Sequence, residues 1–472
     1  MRRDVTVLPK GWTNRGEAYI QKGQRRLIIW SGIPDERALV HIYHFGQNQD
    51  FARFLAPADA PHPDRQEPSC ARYNSCGGCP MMHLTEDGQR RAKLRSLHGL
   101  LGEVGLADVT PDTVVSAPDN DWDYRHVVKL VVGRSDQGHL RVGTRGRDGR
   151  SIITIPNCPV STPTLRKLMI SSAHHLRQLE LDPYEPRRHR GVMRYIVLRQ
   201  SRQTGKVLVT LVAGQKDRRL WHLAERVAAD NPTVVGVHLH YNDLEGNAIF
   251  ARDEDGNVPT MPIRGQETIE ERLGGLRLNV GAGDFFQVNP AVAERIMADV
   301  VAAFDGDRDR PVVDLYSGVG GFTLGLCRAH GWALGVEGVT GAVQRAKDNA
   351  RLNNLGAEFI AGEVATVLPE IAARLDGRAP VVMVDPARRG LEEGVIDALA
   401  ALQPARLAYL SCNPRTLARD LKRFTDDGWR VDQVTAYDMF PQTAHLEVLA
   451  MLSPQTPPPP ATRRAPRRRI VR

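Results

Sequence analysis

Asp314-Leu315-Tyr316-Ser317-Gly318-Val319-Gly320-Gly321-Phe322 closes an apolar run that begins at Val312 and opens a helical pattern. Glycines at such a point let the chain turn tightly at the C-terminal end of a parallel strand and let backbone approach a ligand. Thr323 stands where a pyrophosphate-binding loop would carry its third glycine, which disfavours a nicotinamide-dependent oxidoreductase. Working outward, apolar runs at 333–337, 358–361, 381–385 and 407–410 alternate with helical stretches. That rhythm predicts an α/β fold with a doubly wound parallel sheet. The last two runs, about 429–436 and 445–452, have no helix between them and predict an antiparallel hairpin at one edge.

Within this frame, Asp314, Gly318 and Gly320 are candidate cofactor-binding residues. Glu337 closes the second strand, 23 residues beyond Asp314, where a carboxylate binds ribose hydroxyls. Glu363, after the third strand, is a candidate for adenine; a surface loop residue is its alternative reading. Leu410-Ser411-Cys412-Asn413-Pro414 offers a thiol at a strand end, and Phe440-Pro441-Gln442-Thr443-Ala444-His445-Leu446-Glu447 offers a carboxylate in an apolar run. A lone strand-end cysteine is usually a small buried hydrophobe, which is the reading kept for Cys327; the carboxylate and the glycine loop change it for Cys412.

Asp314 to Phe322, Asp385-Pro386-Ala387-Arg388-Arg389-Gly390, Ser411 to Pro414, the string ending in Glu447, and Phe285-Phe286-Gln287-Val288-Asn289 occur together. Phe322 at the helix start resembles the first motif of class I S-adenosylmethionine-dependent methyltransferases. As a set, the five strings resemble the RNA uracil-C5 methyltransferase family. The resemblance implies S-adenosyl-L-methionine as cofactor, with Gln287 and Tyr316 among its contacts and Phe285 near the target base. The chemistry agrees. Uracil C5 is a poor nucleophile until a thiolate adds to C6, so Cys412 is the candidate nucleophile and Glu447 the base that removes the C5 proton. Asp385 falls where cofactor and base meet; a carboxylate accepting from uracil N3–H would reject cytosine. The family usually has histidine where this chain has Gln442, which bears on how Glu447 is held.

The N-terminal half divides by composition. Short strands within residues 1–57 predict a small β-barrel of the TRAM or OB type; residues 58–280 form an α+β central domain, 281–454 the methyltransferase domain, and 455–472 a disordered basic tail. Six arginines in that tail account for most of the +8 net charge, so the charge says little about the folded body. The basic stretch 86–102 predicts a helix with a solvated charged face. Cys70, Cys76 and Cys79, followed after 78 intervening residues by Cys158, form a metal-type pattern, suited to iron–sulfur or zinc. Resemblance selects a 4Fe-4S cluster and the ribosomal branch of the family, with 23S ribosomal RNA the expected substrate and transfer RNA the alternative. A different class, an RNA-binding iron–sulfur protein without catalysis, is opposed by the intact Cys412, Glu447 and Asp385. No apolar run is long enough for a bilayer; a cytoplasmic monomer is expected.

Overall fold

The computed structural model describes residues 3–118 and 121–456. The predicted basic tail lies, from 457 onward, outside the described residues. Among those described, no helix is long and apolar enough to cross a membrane.

The catalytic sheet has eight strands. In spatial order they are Glu358–Ala361, Ala333–Glu337, Val312–Leu315, Val381–Val384, Arg406–Ser411, Glu447–Pro454, Trp429–Tyr437 and Val114–Val115. The first five are parallel, and the four after Glu358–Ala361 carry apolar runs buried on both faces, as a helix-covered parallel sheet requires. Strand order reverses between Val312–Leu315 and Val381–Val384, and ligands of open α/β sheets bind at such a point. The predicted hairpin is present, pairing Glu447–Pro454 with both Trp429–Tyr437 and Arg406–Ser411. It is not the sheet's edge, because Val114–Val115 adds a further parallel strand.

Two segments outside this sheet pack into its core. Leu97 and Leu101 of the helix Glu86–Glu103 join the cluster containing Leu417 and Leu421. Leu273, Leu276, Leu278 and Val280, from the hairpin Thr268–Leu273 and Leu276–Gly281, join the cluster beneath the helix Gly321–His330. The apolar contacts of that hairpin therefore lie with the C-terminal unit, while the Ser201 hydroxyl of the central unit donates to Glu270 O at 2.7 Å.

The central unit is a seven-stranded sheet with the helices Pro163–Gln178 and Arg219–Asp230 packed against it. The N-terminal strands form one six-stranded sheet around Ile29, Ala38, Val40 and Ala52. Its end strands, Asp4–Val7 and Gly11–Trp12, are not paired with each other among the described residues, so strand bonding does not close the expected barrel.

Candidate active site

At the first strand's end, the chain leaves Leu315 through Tyr316, whose φ is +65°. A bulky residue rarely adopts this conformation, and such strain concentrates at functional sites. The Tyr316 and Ser317 hydroxyls are buried without protein partners. Gly318 follows at φ +55°, with open space where a Cβ would lie. Gly320, at φ +89°, has the Phe359 ring 3.0 Å from its would-be Cβ, so a larger residue there is both strained and crowded.

Glu337 fixes this turn. Its carboxylate accepts from the Gly318 and Val339 amides, each at 2.9 Å. Asp314 lies beneath the turn, buried, and accepts from the Thr323 hydroxyl at 2.5 Å. Burial pushes its carboxyl up to about 7 against those Thr323 bonds. Asp314 thus ties strand to helix under the loop, and Thr323, where the third glycine of a dinucleotide site would fall, is its partner. Gly318, Glu337 and Phe285 line a cavity of about 350 Å³, with Asn257 of the central unit on its rim. Phe285 is 69 % exposed. Gln287 is half-buried on the segment entering the helix Pro290–Ala303. Glu363 is exposed, and its carboxylate oxygen lies 3.6 Å from where a Gly338 Cβ would sit.

The catalytic candidates converge through strand register. Asp385 and Cys412 follow directly from the parallel strands Val381–Val384 and Arg406–Ser411. Glu447 opens an antiparallel strand, so its N-terminal end lies at the same edge of the sheet. Ser411 pairs with Val448, which sets Glu447 beside Cys412. The 13-residue helix Pro414–Asp426 begins just after Cys412, with Asn413 as its cap, accepting from the Arg415 amide at 3.3 Å. A helix N-terminus favours the thiolate form of a neighbouring cysteine.

The same groups act on one another electrostatically. Burial, then the Glu447 carboxylate, pushes the Cys412 thiol up to about 11, while Arg388 opposes both. Burial and then Asp385 push Glu447 well above the carboxylate range, again against Arg388. Asp385 is pushed up to about 7 by burial and then by Asp314. Neighbouring buried carboxylates cannot all ionise together. Arg388 is the nearby cation that stabilises negative charge here, and its carbonyl is held by the Asn413 side-chain amide at 2.8 Å. Cys412 opens into a cleft of about 490 Å³ walled by Trp12 and Asn14 of the N-terminal sheet, Lys93, Arg388 and His445.

Gln442, the departure from the family pattern, does not turn toward the base. Its Oε1 accepts from Gln89 Nε2 at 2.9 Å, and its backbone N–H donates to Gln89 Oε1 at 2.8 Å. Sequence reasoning missed Gln89, Lys93 and Arg388. Arg388 was visible inside the Asp385 string. Lys93 contradicts the solvated face predicted for its helix: it is 3 % exposed and donates to Asp438 at 2.5 Å. Nothing local distinguishes it from Arg90, Arg91 or Arg95, because its partner lies 345 residues away.

Cys70, Cys76, Cys79 and Cys158 are all free thiols. Cys79 interacts electrostatically with the other three, so the fold gathers the four that spacing selects. Among the described residues, however, no three His, Cys, Asp or Glu side chains stand in a metal-holding arrangement.

A doubly wound sheet whose strand Val312–Leu315 runs into a glycine turn braced by Glu337, beside a cavity of about 350 Å³, has the architecture of a class I S-adenosylmethionine-dependent methyltransferase. Residues 266–455 match the family described as tRNA (uracil-5-)-methyltransferase. Proteins named as RNA methyltransferases from Halalkalibacterium halodurans and Gloeobacter violaceus are 30% and 31% identical, each over 95% of this chain and 96% and 95% of their own. One from Parasynechococcus marenigrum is 34% identical over 90% of each chain. The chain belongs to this RNA uracil-C5 methyltransferase family. The Pyrococcus abyssi tRNA (uracil-54, C5)-methyltransferase, solved with S-adenosyl-L-homocysteine, shares the fold, with a TM-score of 0.73 at 23% identity over 95% of this chain and 100% of that one.

Proposed function

We propose that this enzyme methylates C5 of a uridine in 23S ribosomal RNA, in the cytoplasm, through a covalent adduct on Cys412. The observation that carries the reading is the Ser411–Val448 register, which sets the thiol and a buried carboxylate side by side at the end of the sheet. The residues present fit the cofactor: the orphaned Tyr316 and Ser317 hydroxyls, the open Gly318 turn and Glu337 all lie at one strand-end edge. S-adenosylmethionine supplies an electrophilic methyl group when bound there.

The protein's own groups account for the remaining steps. The uridine leaves its stack to enter the cleft, as bases do in base-modifying enzymes. Cys412 Sγ, its proton released to solvent and its charge stabilised by Arg388 and the helix N-terminus, bonds to C6. The C5–C6 π electrons move toward O4, which would make C5 the nucleophile toward the methyl group that the donor supplies. Glu447 takes the C5 proton, the double bond re-forms, and the C6–S bond breaks to release Cys412. A base with a raised pKa suits that abstraction. Asp385 accepts from uracil N3–H.

The ribosomal assignment rests on the four gathered cysteines and the N-terminal β unit. We assign those cysteines to a metal centre, iron–sulfur by resemblance; anaerobically purified protein should show a visible charge-transfer band, and stoichiometric zinc without that band would replace the assignment. The substrate is tested by mapping 5-methyluridine in cellular RNA with and without the gene. Loss from 23S RNA is the expected result. Loss from transfer RNA alone would move the enzyme to the other substrate class, and unchanged RNA of both kinds would overturn the reading.

A further inference from the structure

The segment 438–442, just before the base, is anchored residue by residue from outside. The Asp438 amide donates to Val115 O at 2.8 Å. Asn289 Nδ2 donates to Met439 O at 3.2 Å, and Lys93 Nζ to Phe440 O at 3.1 Å. The Tyr124 hydroxyl donates to Pro441 O at 2.9 Å. Gln442 is held three ways: the Met81 amide donates to its carbonyl at 3.2 Å, and Gln89 both donates to its side chain and accepts from its backbone. Five residues after Gln442 the chain delivers Glu447.

The Gln89–Gln442 pair stands apart from the other anchors. Both side chains are buried, at 1 % and 0 % exposure, and Gln442 Nε2 has no partner. Gln442 also sits at φ +68°, where an unbranched polar residue is tolerated better than a bulky one but is still strained. A contact serving only to fill space is better made from apolar side chains, because a buried orphan donor destabilises the folded state. The pair instead fixes direction: two antiparallel amide bonds define both the position and the rotation of the turn, which a hydrophobic contact does not. Gln89 and Lys93 occupy successive turns of the helix Glu86–Glu103, and Lys93 also faces the Cys412 cleft.

We propose that Gln89 is a positioning residue for proton abstraction: through its reciprocal amide pair with Gln442 it holds the turn that aims Glu447 at C5. Cys412 and Asp385 stand on separate strands and do not depend on this turn. The inference rests on the covalent mechanism proposed above. Gln89→Met keeps shape and removes both hydrogen bonds to Gln442, together with the one that Gln89 Nε2 donates to Leu84 O at 3.0 Å. With uridine-containing RNA it should lower the rate of adduct breakdown at least tenfold, so that methylated enzyme–RNA adduct accumulates. The isotope effect from 5-deuterouridine should rise as abstraction becomes rate-limiting. With 5-fluorouridine RNA, which has no C5 proton to lose, adduct formation should stay within about twofold of wild type. A merely structural role slows both halves together.

Glu447→Gln serves as the reference. If it accumulates no adduct, the covalent mechanism fails, and not this inference. If it does accumulate adduct while Gln89→Met changes neither breakdown nor isotope effect, or slows formation equally, Gln89 has no positioning role. Should Gln89→Met fail to fold, Gln89→Glu, which keeps the acceptor for the Gln442 amide, takes the same test with the same split required.

Discussion

Replacing Cys412 by alanine abolishes both methylation and adduct formation with 5-fluorouridine RNA, a loss on the order of 10⁴-fold or more, as for other obligatory nucleophiles. The magnitude follows from the chemistry: without C6 addition, C5 does not become nucleophilic enough to take the methyl group. RNA binding and melting temperature should change little, because Cys412 is only partly buried and is not tied into a disulfide. The cysteine also sets a pH dependence. With the thiol pushed up to about 11, only about one enzyme in 10⁴ carries the thiolate at pH 7. Deprotonation is the activating event, so kcat/KM measured in single turnovers should rise with pH, by close to tenfold per unit between pH 6 and 8.5. Arg388 works against burial at this thiol, and Arg388→Ala should shift the profile to still higher pH. A flat profile in wild type would mean that the thiol is not the titrating nucleophile.

How far this site could be read in advance depended on whether its parts are local. The parallel strands are legible because burial on both faces demands unbroken apolar runs, such as Val381–Val384. Tyr316, Asp385 and Cys412 are then placed by a general property of such sheets, whose ligands gather at the strands' C-terminal ends. Other features defeated sequence reading for physical reasons. The strand Gln49–Pro57 alternates poorly and ends in proline. The helix Pro163–Gln178 carries a readable start signal, Thr162 before a proline at its first position, but its interior mixes histidines and serines with the apolar residues. The burial of Gln89 and Lys93 was invisible because their partners, Gln442 and Asp438, lie about 350 positions away in sequence. The role of Gln442 followed the same logic: compared with the usual histidine it raises a question about Glu447, and only the fold shows that it faces Gln89.

Glu447→Gln is expected to separate the two halves of the reaction in opposite directions. Turnover should fall by about 10² to 10⁴, the usual contribution of a general base. Addition and methyl transfer should proceed at least as fast as in wild type, because the Glu447 carboxylate is, after burial, the main influence holding the Cys412 thiol protonated. A denaturation-resistant, methylated enzyme–RNA species should therefore build up on natural uridine substrate, where wild type shows none. Stability provides an independent check whose sign is fixed. Burial, then Asp385, holds the Glu447 carboxyl well above the ordinary carboxylate value, so its contribution to stability is complete below about pH 4.5 and is lost as pH rises toward the folded value. Glutamine carries no such liability. The Tm difference in favour of Glu447→Gln should be near zero at pH 4.5 and grow toward pH 8. Asp385 is the control that makes the assignment sharp, since it is the other buried carboxylate acting on both Cys412 and Glu447. If Asp385→Asn trapped the methylated adduct and Glu447→Gln did not, the base would be Asp385, and Glu447 would be the neighbour that keeps its proton affinity high.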